Sequence, residues 1–278
     1  MNIVITGGSG FVGSYLCEKL INGGHEIIVV DNLLTGSTEN INHLMHNENF
    51  SFIEHDVQNH IEIENKVDYV LHFASAASPK AYTEHPVNTL KAGSVGTINT
   101  LGLAKKHEAE YLLASTSEVY GDPLISPQTE EYWGNVNPNG ERSMYDEAKR
   151  FAEAAVATYS RSYDLKTKIV RIFNTYGPRM QLNDGRVVTN FIVQALKNEN
   201  ITIYGDGSQT RSFSYVEDTV AGIISLMNSS EYDVFNIGNP NEMTVGQLAE
   251  KIIKLTDSTS EIKYLVLPND DPKQRKPD

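Results

Sequence analysis

A glycine-rich turn close to the beginning of the sequence narrows the possible folds more than any other feature. Residues 6–13 read TGGSGFVG, which spaces Gly7, Gly10 and Gly13 three apart between an apolar run and a helical pattern. The first glycine of such a turn makes a tight bend, the second lets the backbone approach a pyrophosphate, and the third lets the helix pack on the sheet. The helix N-terminus then offers free N–H groups to that pyrophosphate. The turn therefore predicts a dinucleotide site, which Phe11 and Val12 are also expected to contact.

Short apolar runs alternate with helical patterns through the first half of the chain. The runs predict strands over residues 2–6, 26–30, 51–55, 67–73, 111–115 and 168–173, and the patterns between them predict helices over 11–22, 86–107 and 144–163. Strands that are apolar on both faces and alternate with helices form βαβ units with a parallel sheet. We therefore expect an α/β fold, a Rossmann doubly wound parallel sheet, over residues 1–174.

Glycine and proline interrupt the sequence more often after residue 174, in segments such as NTYGPRM, YGDGSQ and IGNPNE. Helical patterns over 187–197, 216–229 and 244–256 alternate there with very short strands. Residues 175–278 are therefore expected to form a smaller C-terminal α/β region that packs against the sheet edge. Some exchange of chain between the two regions is expected as well.

An acidic residue ends the second predicted strand and bears on the choice of cofactor. Asp31 lies about 20 residues beyond the glycines, where a carboxylate accepts hydrogen bonds from the ribose hydroxyls of NAD and repels the 2′-phosphate of NADP. The residues after it, NLLTGS, contain no lysine or arginine to receive that phosphate. We therefore expect NAD as the cofactor. Asp56, after the third strand, is either an adenine contact or a turn residue, and the remaining predicted cofactor contacts are Asn32, Val57 and Ala74.

A tyrosine and a lysine share one face of a predicted helix. Tyr145 and Lys149 lie four residues apart in SMYDEAKR, and residues at that spacing are neighbours on a helix surface. A phenol with a pKa of about 10 is a poor base at neutral pH, but an adjacent ammonium favours its ionised form. The pair can then remove a hydroxyl proton while hydride leaves the same carbon. In a chain that binds a dinucleotide, this spacing predicts a catalytic pair that also contacts the cofactor.

Hydroxyl and carboxylate side chains follow the fifth predicted strand in the run STSEVYG, residues 115–121. In open α/β sheets, ligands bind outside the carboxyl ends of the strands. We expect Thr116 to hydrogen-bond a sugar hydroxyl beside Tyr145, and Ser117 and Glu118 to orient or move protons at a neighbouring carbon. A capping turn that uses the same serine and glutamate is the alternative.

The glycine turn, the acid after the second strand, STSEVYG and YDEAK together resemble the extended short-chain dehydrogenase/reductase superfamily. Within it, the chain is most similar to the enzymes that convert UDP-glucuronate to UDP-xylose. The similar segments extend nearly from end to end and include YWGNVNP (132–138), RIFNTYGPRM (171–180), NDGRVVTNFIVQAL (183–196), YGDGSQTRSF (204–213), NIGNP (236–240) and DDPKQRKPD (270–278). The resemblance implies a tightly held NAD, a UDP-sugar cleft covered by the C-terminal region, and a homodimer formed through a four-helix bundle.

The resemblance also implies a reaction sequence. The sugar is oxidised at C4, the resulting β-keto acid loses CO2, and the same cofactor reduces C4 again. Tyr145 removes the O4 proton with support from Lys149 and Thr116, and Ser117 or Glu118 aids protonation at C5. Similar 4,6-dehydratases carry aspartate at the position of Ser117, which argues against dehydration. The alternatives are a UDP-sugar 4-epimerase or 4,6-dehydratase, a decarboxylase of an N-acetylated UDP-uronate, and a non-catalytic dinucleotide-binding protein.

A nucleotide sugar requires local positive charge in a chain whose net charge is −13. Arginine offers a bidentate fork for phosphate or carboxylate. From the family-like segments we expect Arg186 and Arg211 on the UDP side of the substrate and Arg275 near the sugar carboxylate. We also expect Asn174 at the pyrophosphate and Lys91 against the substrate.

Composition argues against several other classes of protein. The acidic balance does not favour a nucleic-acid or anionic-membrane partner. The single cysteine, Cys17, excludes a disulfide framework, and the eight histidines show no metal-ligand spacing, so no metal is expected. No apolar run approaches the roughly 18 residues of a membrane-spanning helix. Because the first predicted strand begins at residue 2, no signal peptide is expected, and the prediction is a soluble cytoplasmic protein.

Overall fold

The computed structural model describes residues 1–266 and 274–278, so the first four residues of the segment DDPKQRKPD lie outside the described part. The helices, in chain order, are α1 (Phe11–Asn22), α2 (Pro79–Glu84), α3 (Pro86–Lys91), α4 (Thr97–His107), α5 (Ser143–Tyr163), α6 (Val187–Leu196), α7 (Val216–Asn228) and α8 (Val245–Thr256). Within the described ranges, no helix has the length and apolar content that crossing a membrane requires.

The strands are two to seven residues long. In chain order they are β1 (Asn2–Thr6), β2 (Glu26–Asp31), β3 (Phe50–Glu54), β4 (Tyr69–His72), β5 (Glu110–Thr116), β6 (Thr167–Ile172), β7 (Thr175–Tyr176), β8 (Ile201–Tyr204), β9 (Thr210–Ser212), β10 (Ser214–Tyr215), β11 (Val234–Ile237), β12 (Glu242–Thr244), β13 (Ile262–Leu265) and β14 (Gln274–Arg275).

A seven-stranded parallel sheet forms the centre of the molecule, in the order β11-β6-β5-β4-β1-β2-β3. In register, Val4 of β1 lies between Ile28 of β2 and Val70 of β4. Successive connections leave β1 toward opposite edges, which opens a crevice at the carboxyl ends of the strands. The expected doubly wound fold is confirmed.

Helices cover both faces of this sheet and form a hydrophobic core on each side. On one face α1 and α7 bury side chains such as Leu16 and Ile223, and on the other α4 and α5 bury Leu101 and Val156. Because both faces are covered, the central strands are almost continuously apolar. This is why their positions could be predicted from sequence.

The chain after residue 174 contributes to both the sheet and a separate layer. α7 packs against α1, and β11 pairs with β6 at the sheet edge. The remaining elements form a third hydrophobic core between α6, α8 and β8. Three small sheets accompany it, namely β7 with β10, β8 with β13, and β9 between β12 and β14. This layer lies over the crevice at the carboxyl ends of the central strands.

The helix predicted over 86–107 is divided in the structure. A π-helical turn, Ala92–Gly96, separates α3 from α4. At Gly93 a Cβ would lie 2.7 Å from the Cβ of Ala148 in α5, so the absent side chain allows the two helices to approach closely. A wider turn of this kind is a local feature that the helical period alone does not reveal.

Candidate active site

A cavity of about 1210 Å³ lies at the carboxyl ends of the central strands, beneath the C-terminal layer. It exceeds the roughly 300–1,000 Å³ of a typical small-molecule pocket. All but one of the predicted site residues line it, namely Gly7, Gly10, Phe11, Val12, Gly13, Asp31, Asn32, Asp56, Val57, Ala74, Thr116, Ser117, Glu118, Tyr145, Lys149, Asn174, Arg186, Arg211 and Arg275. The two groups of residues, predicted separately for a cofactor and for a substrate, therefore face one space.

The three glycines of the turn have different environments. Gly7 has a φ of +73°, the left-handed region that favours glycine, and a Cβ there would lie 2.7 Å from the backbone N of Ala74. At Gly13 a Cβ would lie 2.3 Å from the carbonyl oxygen of Gly7. At Gly10, which precedes α1, the nearest atom would be the same oxygen at 3.2 Å. Gly7 and Gly13 are thus required by packing, whereas a Cβ at Gly10 would be tight against this one oxygen only.

Asp31 is buried at the end of β2, where its carboxylate accepts hydrogen bonds from the backbone N–H groups of Ser9 (3.1 Å) and Leu33 (2.9 Å). These bonds fix the carboxylate at the edge of the glycine turn. A carboxylate has about four lone-pair sites, so two remain for a ligand. Nearby, the side-chain amide of Asn32 donates to Asp56 over 3.0 Å, which places both residues on the same wall of the cavity.

Tyr145 and Lys149 both project from α5 into the floor of the cavity, as their spacing predicts. The Lys149 ammonium donates to the carbonyl oxygen of Ala114 over 2.7 Å and lies 5.9 Å from the centre of the Tyr145 ring. Burial lowers the pKa of Lys149 to about 8, and the Glu153 carboxylate opposes that fall. Lys149 therefore remains largely protonated at neutral pH.

The pKa of Tyr145 differs from the expectation. Burial raises it above its ordinary value, and a hydrogen bond with the Thr116 side chain acts in the opposite direction. Lys149 is not among the main influences, because its ammonium is directed at the β5 backbone rather than at the phenol oxygen. In the structure, Thr116 is thus the residue that most favours ionisation of the Tyr145 phenol, and the Arg186 charge acts in the same direction.

Glu118 follows β5 and forms ion pairs with two arginines. Its carboxylate accepts hydrogen bonds from Arg142 and, over 2.9 Å, from Arg275. Burial alone would raise the pKa of Glu118, but the guanidinium groups of Arg275 and Arg142 outweigh it and hold the pKa at about 2. Glu118 is therefore ionised at neutral pH, which favours the orienting role over proton donation among the roles expected for it. Ser117 beside it is buried in the cavity wall.

Arg275 lies beside Glu118, whereas the other expected substrate residues that line the cavity lie farther under the C-terminal layer. Arg186 immediately precedes α6, donates to the carbonyl oxygen of Ala77 over 2.9 Å, and lies 3.6 Å from the Asp184 carboxylate. Together with Asn174 and Arg211 it lines the part of the cavity under the C-terminal layer.

Lys91 is the exception among the predicted site residues, because it is exposed and does not line the cavity. In the same stretch, Asn88 and Ala92 do line it. These two residues share a helix face, and position 91 is turned about 100° away from that of Ala92. The expected contact between Lys91 and a substrate is therefore not supported.

Two further residues near the reacting groups are not among the predicted site residues. The ring of Tyr82, from α2, stacks on the ring of Tyr145 with centroids 5.2 Å apart and planes 15° apart. Arg142 is the residue that precedes α5 and pairs with Glu118. The only available signal was that Arg142 lies three residues before Tyr145. For Tyr82 there was no local signal, because the stacking joins segments more than sixty residues apart.

Comparison with known proteins is consistent with this geometry. A family model described as the NAD dependent epimerase/dehydratase family matches residues 3–238. The chain is 53% identical over 276 residues to UDP-glucuronic acid decarboxylase 1 of Xenopus tropicalis, and the match covers 99% of this chain and 65% of that relative. The chain thus spans less than two thirds of that relative's length. These matches confirm the resemblance inferred from the sequence motifs.

Solved structures share the fold over the whole chain. A UDP-glucose 4-epimerase of Thermotoga maritima, solved with UDP-glucose, has a TM-score of 0.91 and 31% identity and covers 100% of this chain and 90% of its own. A UDP-glucuronic acid 4-epimerase of Bacillus cereus, in complex with UDP-glucuronic acid and NAD, has a TM-score of 0.86 and 25% identity over 100% of this chain and 90% of its own.

Proposed function

This chain belongs to the NAD-dependent epimerase/dehydratase family, and we propose that it converts UDP-glucuronate to UDP-xylose and CO2 with NAD as a recycled cofactor. The observation that carries the proposal is the pair Ser117 and Glu118, a buried hydroxyl beside a buried carboxylate that Arg142 and Arg275 keep ionised. Dehydration at C6 needs an acid to protonate a departing hydroxyl, and neither the Ser117 hydroxyl, at the position where the dehydratases carry aspartate, nor the ionised Glu118 is such an acid. Loss of CO2 expels no hydroxyl and needs no such acid. The identity with the Xenopus relative supports the same activity.

The residues around the glycine turn fit a bound NAD. Gly10, which has no side chain, and the N-terminus of α1, which has no side-chain cap, suit a pyrophosphate. The fixed carboxylate of Asp31 suits the two ribose hydroxyls and would repel a 2′-phosphate. Asn32, Asp56, Val57 and Ala74 complete this part of the wall. The chemistry supplied by NAD when bound is removal of hydride from sugar C4 and its return to C4.

Proton transfer at O4 falls to Tyr145. Its phenol oxygen takes the O4 proton as C4 is oxidised and gives it back when C4 is reduced. Thr116 stabilises the ionised phenol through its hydrogen bond, and the Lys149 ammonium supplies positive charge 5.9 Å from the ring. Tyr82, stacked on the same ring, restricts its orientation.

Decarboxylation follows from the position of the new ketone. With C4 oxidised, the C6 carboxylate is β to a carbonyl, so the electrons of the C5–C6 bond can move toward O4 as CO2 leaves. Two guanidinium groups share one carboxylate at Glu118, which leaves a net positive charge for the sugar carboxylate. C5 then takes a proton, delivered by solvent or through the hydroxyl of Ser117, because Glu118 is ionised. Arg186, Arg211 and Asn174 are assigned to the UDP portion.

A 4-epimerase is the second candidate function, because the two similar solved structures have that activity. It shares the oxidation at C4. It differs in that the 4-keto sugar rotates in the site, so that hydride returns to the opposite face of C4. An N-acetylated UDP-uronate is the alternative substrate for the decarboxylase. The nature of the product distinguishes these candidates directly.

NMR of UDP-glucuronate incubated with the purified protein tests the proposal. We expect UDP-xylose and CO2, with no dependence on added NAD once the protein carries it. Tyr145→Phe is the inactive control. Appearance of UDP-galacturonate would replace the proposal with the epimerase, and turnover of UDP-N-acetylglucosaminuronate alone would change the substrate.

We also propose that a second copy of this chain covers an exposed apolar face on α3, the π-helical turn Ala92–Gly96, α4 and α5. α3 packs directly against α5, and the exposed side chains on this face are Val87, Leu90, Val95, Ile98 and Phe151, each 37–59% exposed. Two long helices from each copy would form a four-helix bundle. Sedimentation velocity should show a dimer that Val95→Lys converts to monomer. The control Leu255→Lys, at an exposed position of α8, should leave the dimer intact. A monomeric parent chain would contradict the proposal.

Two broader assignments remain proposals. Residues 1–174 are assigned to cofactor binding and residues 175–278 to the nucleotide sugar, with α7 and β11 returning to the central sheet. A cytoplasmic location is also proposed, and fractionation of the source cells tests it. Limited proteolysis with and without UDP tests the first assignment, since UDP should protect sites after residue 174.

A further inference from the structure

A five-residue segment, 274–278, crosses from the C-terminal layer to the central domain next to the active site. We name it the strap. On one side its β14 pairs in parallel with β9, so that Arg275 lies opposite Arg211, and the Ser212 hydroxyl donates to the carbonyl oxygen of Arg275 over 3.3 Å. On the other side it contacts the loop that follows Glu118. The strap is thus held between the two layers that form the cavity.

On that second side, Gln128 makes three hydrogen bonds with the backbone of the strap. Its backbone N–H donates to the carbonyl oxygen of Lys276 over 2.8 Å, and its side-chain oxygen accepts from the Lys276 N–H over 2.9 Å. Its carbonyl oxygen accepts from the N–H of Asp278 (3.0 Å) and from the side chain of Asn236 (2.9 Å). Its side-chain amide donates to the carbonyl oxygen of Ile125 over 2.7 Å. Gln128 is fully buried, and each of these groups is satisfied.

The strap in turn places Arg275. This side chain is 2% exposed and donates to Glu118 over 2.9 Å and to the carbonyl oxygen of Gly121 over 2.6 Å. Its Nε is buried and has no hydrogen-bond partner within the described part of the chain. Burying a guanidinium with an unpaired N–H is unfavourable. Arg275 therefore depends on its backbone being fixed, and the residue that follows it is the one bound by Gln128.

We propose that Gln128 is a positioning residue that docks the strap and so fixes Arg275 against Glu118 in the reaction proposed above. The inference rests on that proposed function for its kinetic effect, but not for its structural effect. A side chain displaced by about 1 Å from its productive geometry can cost about 100-fold in rate. Loss of the side-chain bonds of Gln128 should therefore lower turnover because Arg275 is displaced, and not because NAD binding is weakened.

Gln128→Leu removes these side-chain bonds with little change in volume, and Gln194→Leu is the matched control. Gln194 exchanges two similar bonds with Thr202, at 2.9 and 3.1 Å, between α6 and β8 and away from the strap. We expect Gln128→Leu to lower kcat for UDP-xylose formation by about 100-fold and Gln194→Leu to lower it less than twofold. In an Arg275→Ala background, Gln128→Leu should have no further effect, because residues that act as a unit are not additive. Gln128→Glu, which keeps an acceptor for the Lys276 N–H, should recover at least tenfold.

Equal losses from Gln128→Leu in the two backgrounds, or no loss in either, would overturn the inference. A second measurement does not depend on turnover. The rate at which phenylglyoxal modifies Arg275, followed by mass spectrometry, should rise at least tenfold in Gln128→Leu and stay unchanged in Gln194→Leu. If the parent chain does not decarboxylate UDP-glucuronate, the proposed function fails while this rate still decides the role of Gln128. An unchanged rate in Gln128→Leu overturns that role.

Discussion

Replacing Lys149 by methionine should stabilise the protein while abolishing its activity. Lys149 is 6% exposed, and burial lowers its pKa from the ordinary 10.5 to about 8. The folded chain therefore bears a cost for keeping this ammonium charged at neutral pH. Methionine has a similar length and fills the same space without a charge.

The magnitude follows from the pKa and from one hydrogen bond. A fall from 10.5 to about 8 corresponds to about 3 kcal/mol at pH 7. The variant also loses the hydrogen bond to the carbonyl oxygen of Ala114, and this loss reduces the gain by about 1 kcal/mol. We expect Lys149→Met to raise the free energy of unfolding by about 2 kcal/mol at pH 7. Between pH 8 and 10.5 the unfolded chain holds a proton that the folded parent chain has released, so the parent gains stability as the pH rises. The advantage of the variant should fall to about zero near pH 9.5.

Urea unfolding at pH 7 and pH 9.5 measures this difference, with nucleotide removed so that ligand binding does not contribute. The exposed Lys91→Met changes the formal charge equally and should shift the free energy of unfolding by less than about 0.5 kcal/mol at either pH. A Lys149→Met variant less stable than the parent at pH 7, or a difference that does not vary with pH, would refute the reasoning.

Four further substitutions test other parts of the site. Gly13→Ala should prevent stable folding, because its Cβ would lie 2.3 Å from the Gly7 carbonyl oxygen, whereas Gly10→Ala should fold and lose NAD affinity; circular dichroism and fluorescence titration with NAD separate the two effects. Glu118→Gln should lower the free energy of unfolding at pH 7 by about 3 kcal/mol, since its two arginines lose their partner. Because the pKa of Glu118 is held at about 2, this deficit should shrink in urea unfolding as the pH falls from 4.5 toward 2. Tyr145→Phe should slow UDP-xylose formation about 1,000-fold while NAD titration stays unchanged.

Most elements of the fold could be predicted from local sequence patterns. The predicted strand 2–6 and helix 11–22 coincide with β1 and α1, and β3 is displaced from its predicted position by one residue. These elements lie in a sheet covered on both faces, where an apolar run is a direct consequence of burial. The spacing of Tyr145 and Lys149 likewise needs only the helical period.

Long-range contacts account for what the sequence did not reveal. The strap reaches Gln128 across about 150 residues, and no local period records that pairing. The substrate contact of Lys91 was predicted from the family resemblance, but the position of Lys91 on its helix turns the side chain away from the cavity. The pKa values of Tyr145 and Glu118 depend on burial and on which guanidinium groups arrive from elsewhere in the chain, so residue identity alone does not give their direction.

The fate of the C4 hydrogen tests the central claim most directly. UDP-glucuronate deuterated at C4 should yield UDP-xylose that retains the deuterium at C4, since hydride leaves and returns within one site. In deuterated solvent, the unlabelled substrate should instead gain one deuterium at C5, where CO2 departed. Loss of the C4 label to solvent, or its transfer into UDP-galacturonate without release of CO2, would contradict the account.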